Sequence, residues 1–304
     1  MVSILRKVKL KIHFWPCLLI CFIFSSLFFP GTAFPKEKED SIKVSIIPKQ
    51  VYQGEICVID VFTAKSISSL NGKFQKRRLS FYKIKGEGLF RALIGIDMEA
   101  KPGTCQLTIS GKNSSGKVME RSYRIRILKK DFSIQRLTLP KKMVELDKKT
   151  LTRVRIESKG VKKLWIKEAD ERLWHGKFIK PVKGEVISPF GVRRFLNNLP
   201  RSSHSGVDLK AKMGEEIRCP NTGIVVFVDD LYFSGKSVVV DHGQGLFTMY
   251  FHLSKVNVKR GEKVEKGKPI GLVGSSGRAT GPHLHWGARL HGARVTPLSL
   301  LRLR

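Results

Sequence analysis

The sequence is poor in acidic residues. It has 25 Asp plus Glu against 57 Lys plus Arg, which gives the 304-residue chain a formal net charge of +32. Such an excess attracts polyanions, namely nucleic acid, anionic lipid or an anionic cell wall. A basic surface that is merely solvated is the alternative, because the Lys and Arg residues are spread over the whole length. The hydrophobic fraction of 41% excludes wholesale disorder.

The chain also lacks an apolar run of the ~20 residues that a comfortable membrane span needs. The apolar run Phe14–Phe29 is shorter, follows the basic segment Arg6–Lys11 and precedes small residues that end at Ala33. This pattern predicts a signal peptide over residues 1–33, with an uncleaved signal anchor as the alternative. We therefore expect an exported monomer of the periplasm or cell envelope. Its polyanionic partners would be anionic envelope polymers and not nucleic acid, and it would touch the membrane only through such an anchor.

Cysteine is scarce. After the predicted signal only Cys57, Cys105 and Cys219 remain. In an oxidising compartment Cys57 and Cys105, which lie in strand-like runs of one region, either form a disulfide or stay free thiols, and the sequence leaves both alternatives open. Cys219 is predicted to be a small buried hydrophobe rather than a nucleophile.

Helical periodicity is weak along the whole chain, so the predicted fold class is all-β. Residues 41–130 alternate short apolar runs with turn residues, which predicts an immunoglobulin-like antiparallel β-sandwich without catalytic clusters. Residues 131–177 form a charged connector, with a helical turn or two expected within Lys162–Trp174. Residues 178–304 contain glycines too often for a helix of ordinary length, which predicts a turn-dense β-domain with an open cleft.

The chemistry is concentrated in histidine-containing segments of this last domain. His283 and His285 lie at i and i+2 of a predicted strand, so both imidazoles face the same side of a sheet. His204 and Asp208 would stand about 13 Å apart in an unbroken strand, so the chain must bend at Ser205-Gly206 if they share an ion. Two histidines and one carboxylate are a catalytic zinc ligand set. Spacing alone leaves open whether His283 or His285 is the third ligand.

Six segments occur in one order between residue 178 and the end: Phe190–Arg193, His204–Asp208, Asp241–Gly243, Tyr250–Leu253, Val264–Gly267 and Gly277–His285. Together they resemble the lysostaphin-type, or LytM-like, zinc metallopeptidases. The resemblance implies one Zn²⁺ per chain, held by His204, Asp208 and His285. It makes His252 and His283 the catalytic histidines, which activate water and stabilise the developing oxyanion. His242 would support the site indirectly.

The resemblance further implies a peptidoglycan endopeptidase whose partners are the cross-linking peptides of the bacterial wall. A non-catalytic LytM-like module that binds wall, or activates another hydrolase, is the main alternative. Such modules usually lack some zinc ligands, whereas this sequence has every one of them. A protein that only coats anionic polymers would explain the charge and leave the histidines unexplained.

Overall fold

The computed structural model describes residues 42–64, 67–84, 88–138, 146–165, 169, 171–197, 199–200 and 202–303. The predicted signal at residues 1–33 lies outside them. Within these ranges the chain forms twenty-two β-strands, one α-helix and one 3-10 helix, which confirms the all-β class. None of the described helices has the length and apolar character needed to cross a membrane.

Nine strands form a two-sheet sandwich: β1 (Ile42–Ile47), β2 (Gln50–Tyr52), β3 (Ile56–Thr63), β4 (Ile67–Phe74), β5 (Arg77–Leu79), β6 (Tyr82–Lys83), β7 (Leu89–Gly95), β8 (Gly103–Asn113) and β9 (Val118–Leu128). One sheet has the order β1-β3-β7-β6 and the other β2-β9-β8-β4-β5. Alternating apolar residues of both sheets, such as Ile59 and Leu107, meet in one buried core. The pairs are antiparallel except for β2 with β9, where the three-residue β2 joins the second sheet directly after β1.

The two cysteines of the sandwich lie in opposite sheets and are free thiols. The thiol of Cys57 on β3 donates to the carbonyl oxygen of Pro48 at 3.5 Å. Cys105 Sγ on β8 accepts from Gln75 Nε2 at 2.9 Å. Of the two alternatives that the sequence leaves open, the structure therefore has the unpaired one.

The connector departs from its prediction. Its helix, α1 (Lys148–Leu164), lies earlier in the chain and is longer than the turn or two expected within Lys162–Trp174. Asp147 caps it by accepting from the backbone N–H of Thr150 at 2.9 Å. No residue of α1 is fully buried. Its half-buried side has helical spacing, from Val154 through Val161 to Leu164, but Glu157 interrupts it, so the apolar period is weak. Ahead of α1, β10 (Ile134–Leu137) forms a further strand.

Ten of the remaining strands build the C-terminal sheet: β11 (Val186–Ser188), β14 (Gly206–Lys210), β15 (Glu216–Arg218), β16 (Gly223–Leu231), β17 (Gly235–Asp241), β18 (Leu246–Val256), β19 (Lys263–Val264), β20 (Pro269–Val273), β21 (His283–Leu290) and β22 (Ala293–Val295). Its main path is β11-β14-β21-β18-β17-β16-β19, with β15, β20 and β22 attached. The other two, β12 (Arg193–Leu196) and β13 (Leu199–Pro200), form a small separate sheet with β10. The 3-10 helix Pro297–Arg302 follows β22.

The core of the C-terminal sheet also takes in side chains of the sandwich. Tyr250 and Trp286 are fully buried there, and Leu93 and Met98 of the sandwich belong to the same apolar cluster. Polar contacts accompany this packing, as where Arg294 meets the carboxylate of Asp97 at 2.7 Å. The domain boundaries at residues 130 and 177 stay predictions, and the apolar core extends across them.

Candidate metal centre and cleft

Two of the candidate ligands are directly opposite each other in neighbouring strands. Asp208 on β14 pairs with His285 on β21, and the same antiparallel register places Lys210 opposite His283. Side chains of directly opposed residues share one face of the sheet and stand about 5 Å apart at their Cβ atoms. The pairing of two strands 77 residues apart therefore brings the carboxylate to the imidazole, with Asp208 Oδ1 at 2.9 Å from His285 Nδ1.

His204 reaches the same point from the loop before β14. Its backbone N–H donates to Val192 O at 2.9 Å, and its carbonyl accepts from Gly191 N–H at 2.8 Å. Its ring Nδ1 lies 2.8 Å from the carbonyl oxygen of Pro189. A carbonyl can only accept, so Nδ1 carries the proton and Nε2 presents a lone pair. The backbone of Pro189, Gly191 and Val192 thus fixes both the position and the tautomer of His204.

His204 Nε2, Asp208 Oδ1 and His285 Nδ1 form a triangle in which each pair of atoms is 2.9 Å apart. All three side chains are buried. One proton cannot satisfy three converging lone-pair atoms, whereas a single cation can be shared by all of them. Imidazole nitrogen and carboxylate oxygen are also the donors that catalytic zinc takes. The cluster therefore fits a metal ion.

The electrostatics of the cluster favour an ionised Asp208 carboxylate beside a neutral His285 ring. Burial alone would raise the pKa of Asp208, but hydrogen bonds to His204 and His285 outweigh burial and lower it well below the usual range. Burial lowers the pKa of His285 to about 4. A carboxylate flanked by neutral rings is the protonation state in which all three groups can donate electron pairs to a cation.

His283 and His252 stand beside this triangle and not within it. His283 Nε2 is 3.8 Å from Asp208 Oδ1, and the His252 and His283 ring centroids are 4.9 Å apart. The Nδ1 atom of His283 lies 2.9 Å from the carbonyl oxygen of Gly281, and that of His252 lies 2.8 Å from the carbonyl oxygen of Ser276. Each Nδ1–H therefore donates, which leaves both Nε2 atoms as acceptors in the neutral rings. Burial lowers the pKa of His252, and the Ser276 contact only partly offsets it.

His252 has a positive φ of 65°. Neighbouring residues of a strand normally face opposite sides, yet the Phe251 ring stacks on His285 with centroids 5.2 Å apart and the His252 ring meets His285 edge-on at 6.3 Å. The left-handed backbone turns His252 to the side that Phe251 also reaches. Such a conformation costs about 1–3 kcal/mol for a non-glycine residue and is characteristic of functional sites.

A cavity of about 400 Å³ opens next to the triangle. Asp208 and His283 line it on one side, and the β10–β12 pair lines it on the other with Ile134, Gln135 and Arg194. Neither Arg194 nor β10 was predicted to belong to the site. Both were missed because they come from the connector and the start of β12, whose parallel pairing the sequence does not reveal.

The other histidines of the described ranges, His175, His242 and His291, are not part of the cluster. His242 is fully buried, with Nδ1 at 2.8 Å from Thr222 O and Nε2 at 2.8 Å from Thr248 Oγ1. Both ring nitrogens are thus engaged in the core, so an indirect link to the site is not visible in its contacts. Cys219 is buried as expected, and burial raises the pKa of its thiol to about 12.

Residues 202–297 match the model of peptidase family M23. The C-terminal part of this chain is a LytM-like peptidase M23 domain. A crystal structure assigned to peptidase M23 from Pseudomonas aeruginosa superimposes with a TM-score of 0.64 and 29% identity, covering 82% of this chain and 94% of that one. The likeness includes more than the M23 domain, since the matched share of the chain is larger than residues 202–297.

Two curated relatives are similar over a little more than a third of this chain. The peptidoglycan DD-endopeptidase ShyA of Vibrio cholerae is 38% identical over 117 residues, which are 38% of this chain and 27% of ShyA. The DD-carboxypeptidase/endopeptidase Mpg of Neisseria meningitidis is 38% identical over 115 residues, 38% of this chain and 26% of Mpg. The chain thus matches about a quarter of the length of these relatives.

Proposed function

We propose that this protein is an exported zinc metalloendopeptidase that hydrolyses peptide cross-links of bacterial peptidoglycan. The observation that carries the proposal is the triangle of His204, Asp208 and His285 with two further imidazoles at its edge. The M23 domain and the names of its relatives, a peptidoglycan DD-endopeptidase and a DD-carboxypeptidase/endopeptidase, support the substrate class. Export rests on the signal pattern of residues 1–33 and suits a wall substrate.

In this proposal His204, Asp208 and His285 hold one Zn²⁺. When bound there, such an ion would lower the pKa of water and polarise the carbonyl of a peptide bond. The chain's contribution is to keep the three donor atoms converged and buried. The Pro189 carbonyl holds the His204 tautomer, and the ring of Phe251 shields one face of His285. Such outer contacts keep ligand rings in their binding orientation.

His252 and His283 handle protons. Their Nδ1–H groups are anchored on carbonyls, so each Nε2 is free to accept a proton in the neutral ring. The lowered pKa of His252 keeps it neutral over a wider pH range. Once protonated, the same nitrogen can donate to the leaving amine or to an oxyanion beside it. Two such groups on one side of the ligand triangle suit the hydrolysis of an amide.

The competing proposal is a non-catalytic module that binds wall or activates another hydrolase. The specific observation against it is that all five side chains are present and close together. A binding module has no need for a buried three-donor triangle or for a histidine with positive φ. The complete constellation therefore favours the enzyme.

The deciding experiment treats the purified chain with a chelator, restores zinc to half of it, and incubates both samples with cross-linked muropeptides. Mass spectrometry of the products should show shorter peptides only in the zinc sample, and metal analysis should give one zinc per chain. A binding module would retain the muropeptides without new products. Full cleavage in the metal-free sample would contradict the mechanism.

We also propose that helix α1 is the part of the basic chain that binds anionic envelope polymers. Its outward residues are exposed and mostly basic: Lys148, Lys149, Arg155, Lys159, Lys162 and Lys163. The helix is fastened to the C-terminal sheet by its other side, where Glu157 accepts from Tyr232 N–H at 3.0 Å and Arg153 donates to Asp230 O at 2.9 Å. A fixed row of cations suits anionic envelope polymers, which would hold the enzyme near its substrate.

A further inference from the structure

Arg194 places a guanidinium at the mouth of the cleft without a hydrogen-bonding partner among the described residues. The nearest carboxylate that the structure records is Asp208, whose Oδ2 lies 3.8 Å from an Arg194 terminal nitrogen, beyond hydrogen-bond length. Arg194 Nε is buried and has no acceptor in the described part of the chain. The side chain is 38% exposed, so its terminal nitrogens are open to the cavity. A guanidinium has five donors in a planar fork, and the residues that the structure describes leave them without a hydrogen bond.

The position of Arg194 is fixed by the small sheet beside the cleft. Arg194 on β12 is opposite Gln135 on β10 in a parallel pair, and both residues line the cavity. β10 belongs to the connector and β12 precedes residue 202, so this wall lies outside the segment that matches the M23 family. The ligand triangle lies within residues 202–297, which match the family, whereas the wall facing it is built by the segment that precedes them.

The charges around the cavity favour an anion. Among the described residues that line it, Asp208 is the sole acidic side chain and Arg194 the sole cationic one that is always charged. The Asp208 carboxylate is already engaged by His204 and His285 through Oδ1. A cation shared by that triangle would offset its negative charge further. The guanidinium, whose ion pair with Asp208 at 3.8 Å is too long for a hydrogen bond, then keeps positive charge and donors for a further anion beside the triangle.

We propose that Arg194 binds a free carboxylate of the substrate peptide, next to the bond that is cut. This inference rests on the proposed function and narrows its substrate class to peptides with such a carboxylate, at a chain terminus or on a side branch. Arginine binds carboxylates through two parallel hydrogen bonds. Replacing that carboxylate by a carboxamide removes one acceptor and the charge, while the scissile bond stays the same.

The test compares two synthetic cross-linked peptides that are identical except that one has a carboxamide in place of the free carboxylate. The zinc-loaded wild type should cleave the carboxylate peptide about 10–100-fold more efficiently in kcat/KM. Arg194→Ala should lose this preference by slowing only the carboxylate peptide. Arg194→Lys should keep part of it, because the charge stays and the fork is lost. The adjacent, exposed Arg193→Ala serves as the matched control and should keep the wild-type ratio.

A binding measurement separates this inference from the proposed function. Calorimetric titration of both peptides into zinc-loaded His283→Ala, with and without Arg194→Ala, should show the same carboxylate preference in Kd. If the wild type cleaves neither peptide, the endopeptidase proposal fails, and the two Kd values still decide the role of Arg194. The inference would be overturned if both peptides bound with the same Kd, or if Arg194→Ala weakened the binding of both peptides by the same factor. Loss of zinc from Arg194→Ala would overturn it as well.

Discussion

Gly206 lies directly against the imidazole of His285. A Cβ on Gly206 would stand 2.6 Å from His285 Nε2 and 2.5 Å from the carbonyl oxygen of Trp286. Gly206 is not among the residues with positive φ. The sequence suggests this glycine as a cheap bend between His204 and Asp208, and the structure gives it a different role. It leaves room for the ligand ring where β14 and β21 come together.

Gly206→Ala should therefore weaken metal binding. The added methyl group must push either the His285 ring or the strand away, and such displacements cost about 10–100-fold in metal affinity. Zinc affinity measured with a competing chelator checks this. The control is Gly160→Ala on α1, where a Cβ meets nothing within 4 Å and φ is not positive. That change should leave zinc affinity as it is and stabilise the helix by about 0.5–1 kcal/mol.

The part of the site that can be predicted from the sequence is the part whose residues are close together along the chain. The alternation of His283 and His285 is local, so their common face follows from strand geometry and the structure shows it. The register that sets Asp208 opposite His285 joins segments far apart, and Gly206–Lys210 was not even predicted as a strand. The motif resemblance supplied that pairing, which residue spacing alone does not determine.

The connector shows the opposite case. Helix α1 has a local start signal at Asp147, yet it was predicted in the wrong place because the side facing the sheet is only half-buried and the many charges of the helix obscure the period. The parallel pairing of β10 with β12 has no local signature at all. Arg194 and its neighbours were therefore absent from the predicted site, although they line the cavity.

The two histidines of β21 should respond differently to the same substitution. His285→Ala removes a vertex of the donor triangle, so zinc and muropeptide cleavage should both be lost. His283→Ala leaves the triangle intact, so zinc should remain at one per chain while turnover falls by about 10²–10⁴-fold. Metal analysis and product formation on the same samples give the comparison. His175→Ala, at an exposed ring, is the control and should match the wild type. Loss of zinc from His283→Ala would show that His283, and not only His285, is needed to hold the metal.

His242 should make the fold sensitive to mild acid. Burial lowers the pKa of its imidazole to about 4, from an ordinary value of 6.5. Between pH 6.5 and pH 4 the His242 imidazole is protonated in the unfolded chain but stays neutral in the folded chain. The contribution of His242 to the free energy of unfolding is therefore present above pH 6.5 and is lost as the pH falls toward 4. The loss should reach about 2 kcal/mol at pH 5.

Urea unfolding at pH 7.5 and at pH 5, with the same zinc content in every sample, measures this contribution. His242→Gln keeps a donor and an acceptor for Thr222 and Thr248 and cannot take up the proton. It should be less stable than the wild type at pH 7.5, because its packing is poorer, and should lose about 2 kcal/mol less on acidification. The same decrease in both proteins would assign the acid sensitivity to other groups.

The outward face of α1 should dominate binding to anionic polymers. Lys159, Lys162 and Lys163 are exposed and within one turn of each other, so replacing all three by Glu reverses the sign of that face without touching the side held by Glu157. Affinity for polyphosphate, used as the probe, should fall together with its dependence on salt, because fewer ionic contacts are formed. Zinc content and cleavage of small soluble muropeptides should not change. The matched control reverses three exposed lysines of the sandwich, Lys73, Lys112 and Lys117, for the same change in net charge. If that control weakens binding equally, the attraction belongs to the total charge of the chain and α1 has no special part in it.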